Sequence, residues 1–205
     1  GWNQYVAATM TRVTTDSYFG VASMNVTTPG TSGNEGVIFN PSGPAGGETW
    51  TFSVYINRAE TTAVQSITIC DHVAGGAWSC AGTNTAQTTG WQRVSITKTL
   101  QSGTIDSIQA IINAGGTYAL NFKVDGAQFE QQSAVTPYAD GSLGPGYSWA
   151  GTAHASNSAR TAGAAFAYQT INSAGGLGAA GRGTSPALRI EQDGTGPIAS
   201  FFDTQ

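Results

Sequence analysis

The side chains best suited to chemistry in this sequence are aromatic rings that stand near amides. Such rings stack on the apolar face of a sugar, while amides bond its hydroxyls in a pre-formed concave site. Trp78 lies among small residues in CDHVAGGAWSC, where its ring is either exposed for such a contact or packed over a sheet edge. Tyr55 and Asn57 share one strand face, and Gln109 and Asn113 share another. We predict these five residues as carbohydrate contacts; the alternative for the four strand residues is an ordinary solvated face.

Catalytic chemistry is not indicated by the residues present. The two histidines, His72 and His154, stand in no recognisable nucleophile motif, and the GxSxG pattern does not occur. Glycoside hydrolysis needs two opposed carboxyl groups at a defined separation. The sequence has twelve acidic residues, but their spacing does not pair any two of them. We therefore predict that the protein is not an enzyme.

Cys70 and Cys80 are the only cysteines. A disulfide between them would close a glycine-rich loop and stabilise the fold by roughly 2–3 kcal/mol, mainly by constraining the unfolded chain. Two free thiols are the alternative. A zinc site is disfavoured because His72 is the one imidazole nearby and the spacing matches no common zinc pattern.

Composition narrows the functional classes. The chain has 205 residues, which suits one or two domains, and only 10% of them are charged, against a usual share of about 25%. Its polarity therefore comes from hydroxyls and amides, as in many all-β extracellular and virion proteins. The net charge is −4 and the basic residues are scattered, which argues against nucleic-acid binding. No apolar run approaches the ~20 residues of a membrane-spanning helix. The start at Gly1-Trp2 suggests a fragment or a processed product.

Period-two alternation runs through residues 1–138 and predicts many short strands. In TWTFSVYIN the apolar residues Trp50, Phe52, Val54 and Ile56 alternate with polar ones. Similar runs separated by glycine-rich turns predict a β-sandwich or jelly roll. The alternation places Trp50 on the core face. If the strands of Tyr55 and Gln109 share a sheet, their polar faces form one platform.

The composition shifts after Tyr138. Residues 139–160 show no periodic pattern and predict an extended linker. Residues 161–205 end in SPALRIEQDGTGPIASFFDTQ, which predicts a β-hairpin with one apolar face. A lone hairpin is marginal in water, and threefold association of identical chains would cover this face. The predicted oligomerisation residues are Leu188, Ile190, Ile198, Phe201 and Phe202.

The order of TFSVYINRA, GWQRVSITKTL and TYALNFKVDGAQFE resembles the jelly-roll carbohydrate-binding modules attached to xylanases and cellulases. The resemblance covers roughly residues 1–130 and implies an all-β sandwich that binds glycan without catalysis. The matching aromatic residues of the family are mostly packing residues, so the resemblance assigns Trp50 and Trp91 to the core. It also implies that Asp125 matches an aspartate that helps to hold a structural calcium ion in some such modules. No other cofactor is implied.

The C-terminal third resembles phage proteins. VTPYADGSLGPGYSWAGTAHASNSAR is similar to a junction in tail-associated proteins of phages that infect actinobacteria. SPALRIEQDGTGPIASFFDT is similar to a tail-fibre repeat in which hairpins from three chains wrap together. These resemblances imply a homotrimeric component of the virion tail that contacts other tail proteins and a host surface polysaccharide. The alternatives are a carbohydrate-binding module of a secreted polysaccharide-degrading enzyme and a purely structural virion decoration domain.

Overall fold

The computed structural model describes residues 1–58, 65–84, 89–143, 146–153 and 158–160. The chain divides into two compact units, Gly1–Tyr138 and Ala139–Gln205. The described residues contain strands and no helix, so none of them forms a helix that could cross a membrane. The predicted all-β class is confirmed.

The first unit is a sandwich of two antiparallel five-stranded sheets. Its strands are β1 (Trp2–Tyr5), β2 (Thr9–Val13), β3 (Ser23–Pro29), β4 (Gly36–Phe39), β5 (Thr49–Arg58), β6 (Ser66–Val73), β7 (Trp78–Asn84), β8 (Gly90–Thr99), β9 (Ile105–Asn113) and β10 (Ala119–Glu130). Sheet I has the order β1-β4-β9-β6-β7, and sheet II has the order β2-β3-β10-β5-β8. Apart from β2–β3 and β6–β7, neighbouring strands in each sheet are not consecutive in sequence, as expected for a jelly roll.

The core lies between the two sheets and follows the predicted alternation. Phe52, Val54 and Ile56 of β5 are buried, and so are Ile108 and Ile112 of β9. Each such side chain contributes roughly 1.5–3 kcal/mol through removal of its apolar surface from water. Because alternate residues point inward, the intervening residues of these strands form the two outer faces.

A buried ion pair joins the two sheets near one end of this core. Lys98 of β8 places its Nζ 2.5 Å from Oδ1 of Asp71 of β6. The backbone N–H of Gln101 donates to Asp71 Oδ2 at 2.9 Å. Burial raises the pKa of Asp71, but the bonds from Lys98 and Gln101 outweigh that effect and lower the pKa below its usual value.

The second unit contains a short antiparallel pair, β11 (Tyr147–Trp149) and β12 (Ser158–Arg160). The Ser158 hydroxyl donates to the carbonyl of Ala139, and Trp149 Nε1 donates to the Ser142 hydroxyl at 3.1 Å. Segment 139–160, which we predicted as an extended linker, therefore includes paired strands. Three-residue strands are too short to show alternation. The predicted oligomerisation segment 161–205 lies outside the described residues, as does His154.

Candidate functional site

The five predicted carbohydrate contacts fall on opposite sides of the sandwich. Tyr55 and Asn57 lie on β5 in sheet II, whereas Gln109 and Asn113 lie on β9 in sheet I. Trp78 begins β7, also in sheet I. The single polar platform considered from the sequence is therefore not formed, because β5 and β9 belong to different sheets. Each outer face has to be assessed separately.

The outer face of sheet II is partly covered by residues 131–138. Arg93 Nη1 donates to the carbonyl of Thr136 at 2.7 Å, and the Thr51 hydroxyl donates to the carbonyl of Gln132 at 2.8 Å. Thr51 and Ser53 consequently have no exposed surface, although they point away from the core. The middle of this face is closed by the unit's own chain.

The loop of residues 16–20 covers a further part of the sheet II face. Asp125 Oδ2 accepts the backbone N–H groups of Tyr18 and Phe19, each at 2.8 Å. The Tyr18 ring then stacks on Tyr55, with centroids 4.0 Å apart and an interplanar angle of 19°. Tyr55 therefore lies beneath another ring, while Tyr18 remains 47% exposed. The sequence alone did not identify Tyr18.

Asp125 does not fit the calcium role that the resemblance implied. Its Oδ2 faces two backbone N–H donors, and its Oδ1 accepts the N–H of Gly126 at 2.7 Å. Calcium takes six to eight oxygen ligands. In the part of the chain that the structure describes, no cluster of three or more His, Cys, Asp or Glu side chains could hold a metal ion. Asp125 instead fastens the loop to the sheet.

Asp16 joins this loop to three strands of sheet II. It accepts hydrogen bonds from Lys123 Nζ at 2.9 Å, Trp91 Nε1 at 3.0 Å and Asn57 Nδ2 at 2.9 Å. The bond from Lys123 lowers the pKa of Asp16 most, and the bond from Trp91 adds to that effect. Asn57, a predicted sugar contact, is engaged in holding Asp16.

The assignment of Trp91 to the core was wrong. Trp91 pairs with Asn57 across β8 and β5, on the outer face. Val94 and Ile96 pack against the core. Val94 and Ile96 stand at even positions of β8, whereas Trp91 stands at an odd position. Because successive side chains of a strand point to opposite faces, the sequence already indicated that the Trp91 ring points outward.

The outer face of sheet I carries a depression of about 280 Å³. Buried Ile111 and the Cys70–Cys80 disulfide belong to its apolar part. The predicted disulfide is confirmed, with the two cysteines directly opposite each other in β6 and β7. No side chain lining the depression is charged; the lining is Tyr5, Asn34, Ser66, Thr68, Cys70, Cys80, Ile111, Asn113 and Gly115.

Cross-strand pairing places the predicted residues on this face. Gln109 is the partner of Cys70, which is the partner of Cys80. Asn113 pairs with Ser66 two positions beyond Ile111. Residues paired in this way point to the same side of a sheet, about 5 Å from their neighbours across the strands. Gln109 and Asn113 therefore stand along one side of the disulfide.

Trp78 lies at one end of the same face. It is 47% exposed, which resolves the two alternatives for its ring in favour of exposure. Its partner across the strands is His72, with ring centroids 5.2 Å apart. His72 is fixed in turn by Asp106 Oδ1 at 2.6 Å from Nδ1 and by the Gly76 carbonyl at 3.1 Å from Nε2. These contacts hold the imidazole beside the indole.

The fold is a jelly-roll β-sandwich, and the outer face of sheet I carries an open depression. No protein-family model matches the chain, and no curated protein sequence matches it. Solved structures do. The xylan-binding domain CBM22-1 of Paenibacillus barcinonensis Xyn10C has a TM-score of 0.53 at 16% identity, over 66% of this chain and 88% of that domain.

The Clostridium thermocellum xylanase 10B CBM22-1–GH10 modules, solved with xylohexaose, have a TM-score of 0.54 at 16% identity, over 64% of this chain and 26% of that one. Another CBM22 xylan-binding domain has a TM-score of 0.52 at 17% identity, over 66% of this chain and 89% of that one. At this level of identity the comparisons show the fold: a jelly roll like that of carbohydrate-binding modules.

Proposed function

We propose that the first unit is a non-catalytic glycan-binding module whose ligand lies across the outer face of sheet I. One observation carries this proposal: the face is open and lined by hydroxyls and amides, with Tyr5 in the depression and Trp78 at one end. The other sheet is partly covered by its own loop and tail. Similarity in fold to xylan-binding domains adds support.

The residues of sheet I match what a sugar chain requires. The exposed indole of Trp78 offers a flat apolar surface for a pyranose ring. Gln109, Asn113 and Thr68 offer donors and acceptors for hydroxyl groups. Asn113 is six positions along β9 from Ser107, which pairs with His72, and six steps span about 20 Å along a strand. The face is therefore long enough for several linked sugar rings.

The roles of the other two predicted contacts change in this proposal. Tyr55 supports the ring of Tyr18, and Asn57 holds Asp16. Both act on the opposite sheet and make no contact with a ligand on sheet I. We retain Trp78, Gln109 and Asn113 as sugar contacts and add Tyr5 and Thr68.

A glycan array tests the proposal directly. The array carries xylan, other plant polysaccharides and bacterial surface polysaccharides, and it is probed with the wild type and with Trp78→Ala. Tyr118→Ala is the matched control because Tyr118 is also exposed, at 44%, and does not line the depression. We expect binding that Trp78→Ala weakens and Tyr118→Ala preserves. Equal binding by all three proteins would contradict the assignment to sheet I.

For the biological setting, we propose a phage tail or fibre component that carries this module outside the cell and contacts host polysaccharide and other tail proteins. The support is the order of module, junction and fibre-like hairpin in the sequence. In this proposal Leu188, Ile190, Ile198, Phe201 and Phe202 form the contacts of a homotrimer. A module of a secreted polysaccharide-degrading enzyme is the second candidate, favoured by the similarity in fold to xylan-binding domains.

Light scattering separates these two settings. The phage proposal expects the full chain to be a trimer at micromolar concentration and a chain ending at residue 160 to be a monomer. A full chain that stays monomeric across this range would contradict the trimer and favour the enzyme-module candidate.

A further inference from the structure

Tyr18 is a second exposed aromatic residue, on the side of the sandwich opposite Trp78. It precedes β3, and 47% of its surface is accessible. One ring face is covered by Tyr55, 4.0 Å away. Tyr55 points outward from sheet II, since its neighbours Val54 and Ile56 are in the core. The exposed part of Tyr18 therefore faces away from both sheet II and sheet I.

The position of this ring is set by hydrogen bonds to Asp125, which is distant in sequence, and by two bonds within residues 16–23. Asp125 accepts the N–H groups of Tyr18 and Phe19. The Ser23 hydroxyl donates to the Asp16 carbonyl at 2.6 Å, and the Ser17 hydroxyl donates to the Gly20 carbonyl at 3.1 Å. An aromatic ring held in this way loses little conformational entropy when a ligand packs on it.

Charged groups of both signs belong to the Tyr18 loop and to the strands beneath it. The Asp16 carboxylate and the Lys123 ammonium are partly exposed, with 34% and 30% of their side chains accessible. The Trp91 ring is 5.9 Å from Tyr18, and the Arg93 guanidinium lies 5.6 Å from the Tyr55 ring centroid. Rings beside donors and acceptors, with compensating charges, suit a neutral ligand rich in hydroxyl groups.

We propose that Tyr18 is the stacking residue of a second sugar-binding surface, formed with Trp91, Asp16 and Lys123. A pyranose ring packs on the uncovered face of Tyr18, and its hydroxyls bond to Asp16 and Lys123. This surface does not depend on the sheet I site. With both sites present, one module engages two polysaccharide chains or two segments of one chain, which raises its apparent affinity through avidity.

Affinity electrophoresis through gels that contain soluble xylan, mannan or β-1,3-glucan tests this proposal. The proteins are the wild type, Tyr18→Ala, Trp78→Ala and the double variant, with Tyr118→Ala as control. Tyr18→Phe keeps the stacked ring. Thermal melts followed by circular dichroism establish that each variant is folded. Loss of one stacked ring is expected to weaken retardation about tenfold in apparent affinity.

The Trp78→Ala variant is expected to keep residual retardation, and the double variant is expected to lose it. Tyr18→Phe is expected to behave as the wild type. If Trp78→Ala alone abolishes retardation and Tyr18→Ala has no effect, the second surface is overturned and the sheet I proposal stands. If Tyr18→Ala alone abolishes retardation and Trp78→Ala has no effect, the second surface is supported and the sheet I site is overturned. A wild type that no polymer retards counts against both.

A second copy of the chain is the competing occupant of the Tyr18 surface. Light scattering of residues 1–138 distinguishes it, since this range forms one compact unit. Self-association that Tyr18→Ala removes would overturn the assignment to sugar. A monomer over the same concentrations, together with Tyr18-dependent retardation, supports it.

Discussion

Trp78 lies directly across from His72, and the next outward pair along the same two strands is the Cys70–Cys80 disulfide. The exposed indole thus stands two positions from a covalent link between β6 and β7. Since β7 is at the edge of sheet I, it has only β6 as a paired neighbour. The disulfide therefore secures the strand that carries the proposed stacking residue.

Removal of the disulfide is expected to reduce both stability and binding. The Cys70→Ala/Cys80→Ala variant should lose roughly 2–3 kcal/mol in the free energy of unfolding, because the unfolded chain is no longer constrained. Urea denaturation measures this loss, and titration calorimetry with the glycan that the array identifies measures binding. Wild type treated with reductant should match the variant; unchanged stability in both would contradict the prediction.

The buried ion pair between Lys98 and Asp71 is expected to contribute far more to the free energy of unfolding than the partly exposed pair between Lys123 and Asp16. Lys98→Met leaves the fully buried Asp71 carboxylate without its cation and should cost about 4 kcal/mol. Lys123→Met removes the partly exposed pair with Asp16 and should cost at most about 1 kcal/mol. Chemical denaturation compares them, and equal losses would show that burial of Asp71 is not decisive.

Acid is expected to destabilise the first unit through Glu35. Desolvation raises the pKa of Glu35, but bonds from the Thr31 hydroxyl and from the N–H groups of residues 30–32 outweigh it and lower the pKa from 4.5. The unfolded chain then binds more protons than the folded one. Stability is therefore full at neutral pH and falls as pH drops below about 4.5 toward the folded pKa.

Glu35→Gln tests this pH dependence. Melting temperatures measured from pH 7 to pH 3 should fall less steeply for Glu35→Gln than for the wild type, although the variant is less stable at pH 7. Parallel curves would show that Glu35 does not contribute to the acid sensitivity.

Gly126 is expected to control the position of the Tyr18 loop. Its φ is +54°, and an added Cβ would lie 2.9 Å from the Phe19 ring and 3.0 Å from the Tyr55 ring. Gly126→Ala should therefore lower the melting temperature and weaken any binding that depends on Tyr18. Gly20→Ala is the matched control, since Gly20 has φ +62° and no atom near its Cβ position. A similar effect of both substitutions would assign the loss to backbone strain alone.

The sequence was sufficient to predict the β-class and most of the core. Alternation in β5 identified Phe52, Val54 and Ile56 as inward residues, and all are buried. Alternation is a local property, however, and it does not tell which strands share a sheet. For that reason a platform of Tyr55 and Gln109 could be stated only on the condition that their strands share a sheet, and the strands belong to opposite sheets.

A local pattern of apolar and polar residues also does not show which strand faces are covered by other parts of the chain. Tyr18 sits on Tyr55 because Asp125, 107 residues away in sequence, binds its backbone. Gly126 permits the Phe19 and Tyr55 rings to lie close to the backbone. The sequence around this glycine did not indicate such a contact. The small neighbours of Trp78 and its place in a disulfide loop are local features, and the ring is 47% exposed; its contact with sugar stays a prediction.

Titration calorimetry of the wild type and Trp78→Ala, with the glycan that the array identifies, tests the central claim most directly. We expect the wild type to bind, and Trp78→Ala to bind about tenfold more weakly, as the loss of one aromatic contact implies. Tyr118→Ala should bind as the wild type does. Equal affinity of the wild type and Trp78→Ala, or no glycan binding by the wild type, would contradict the claim that sheet I is a sugar-binding face.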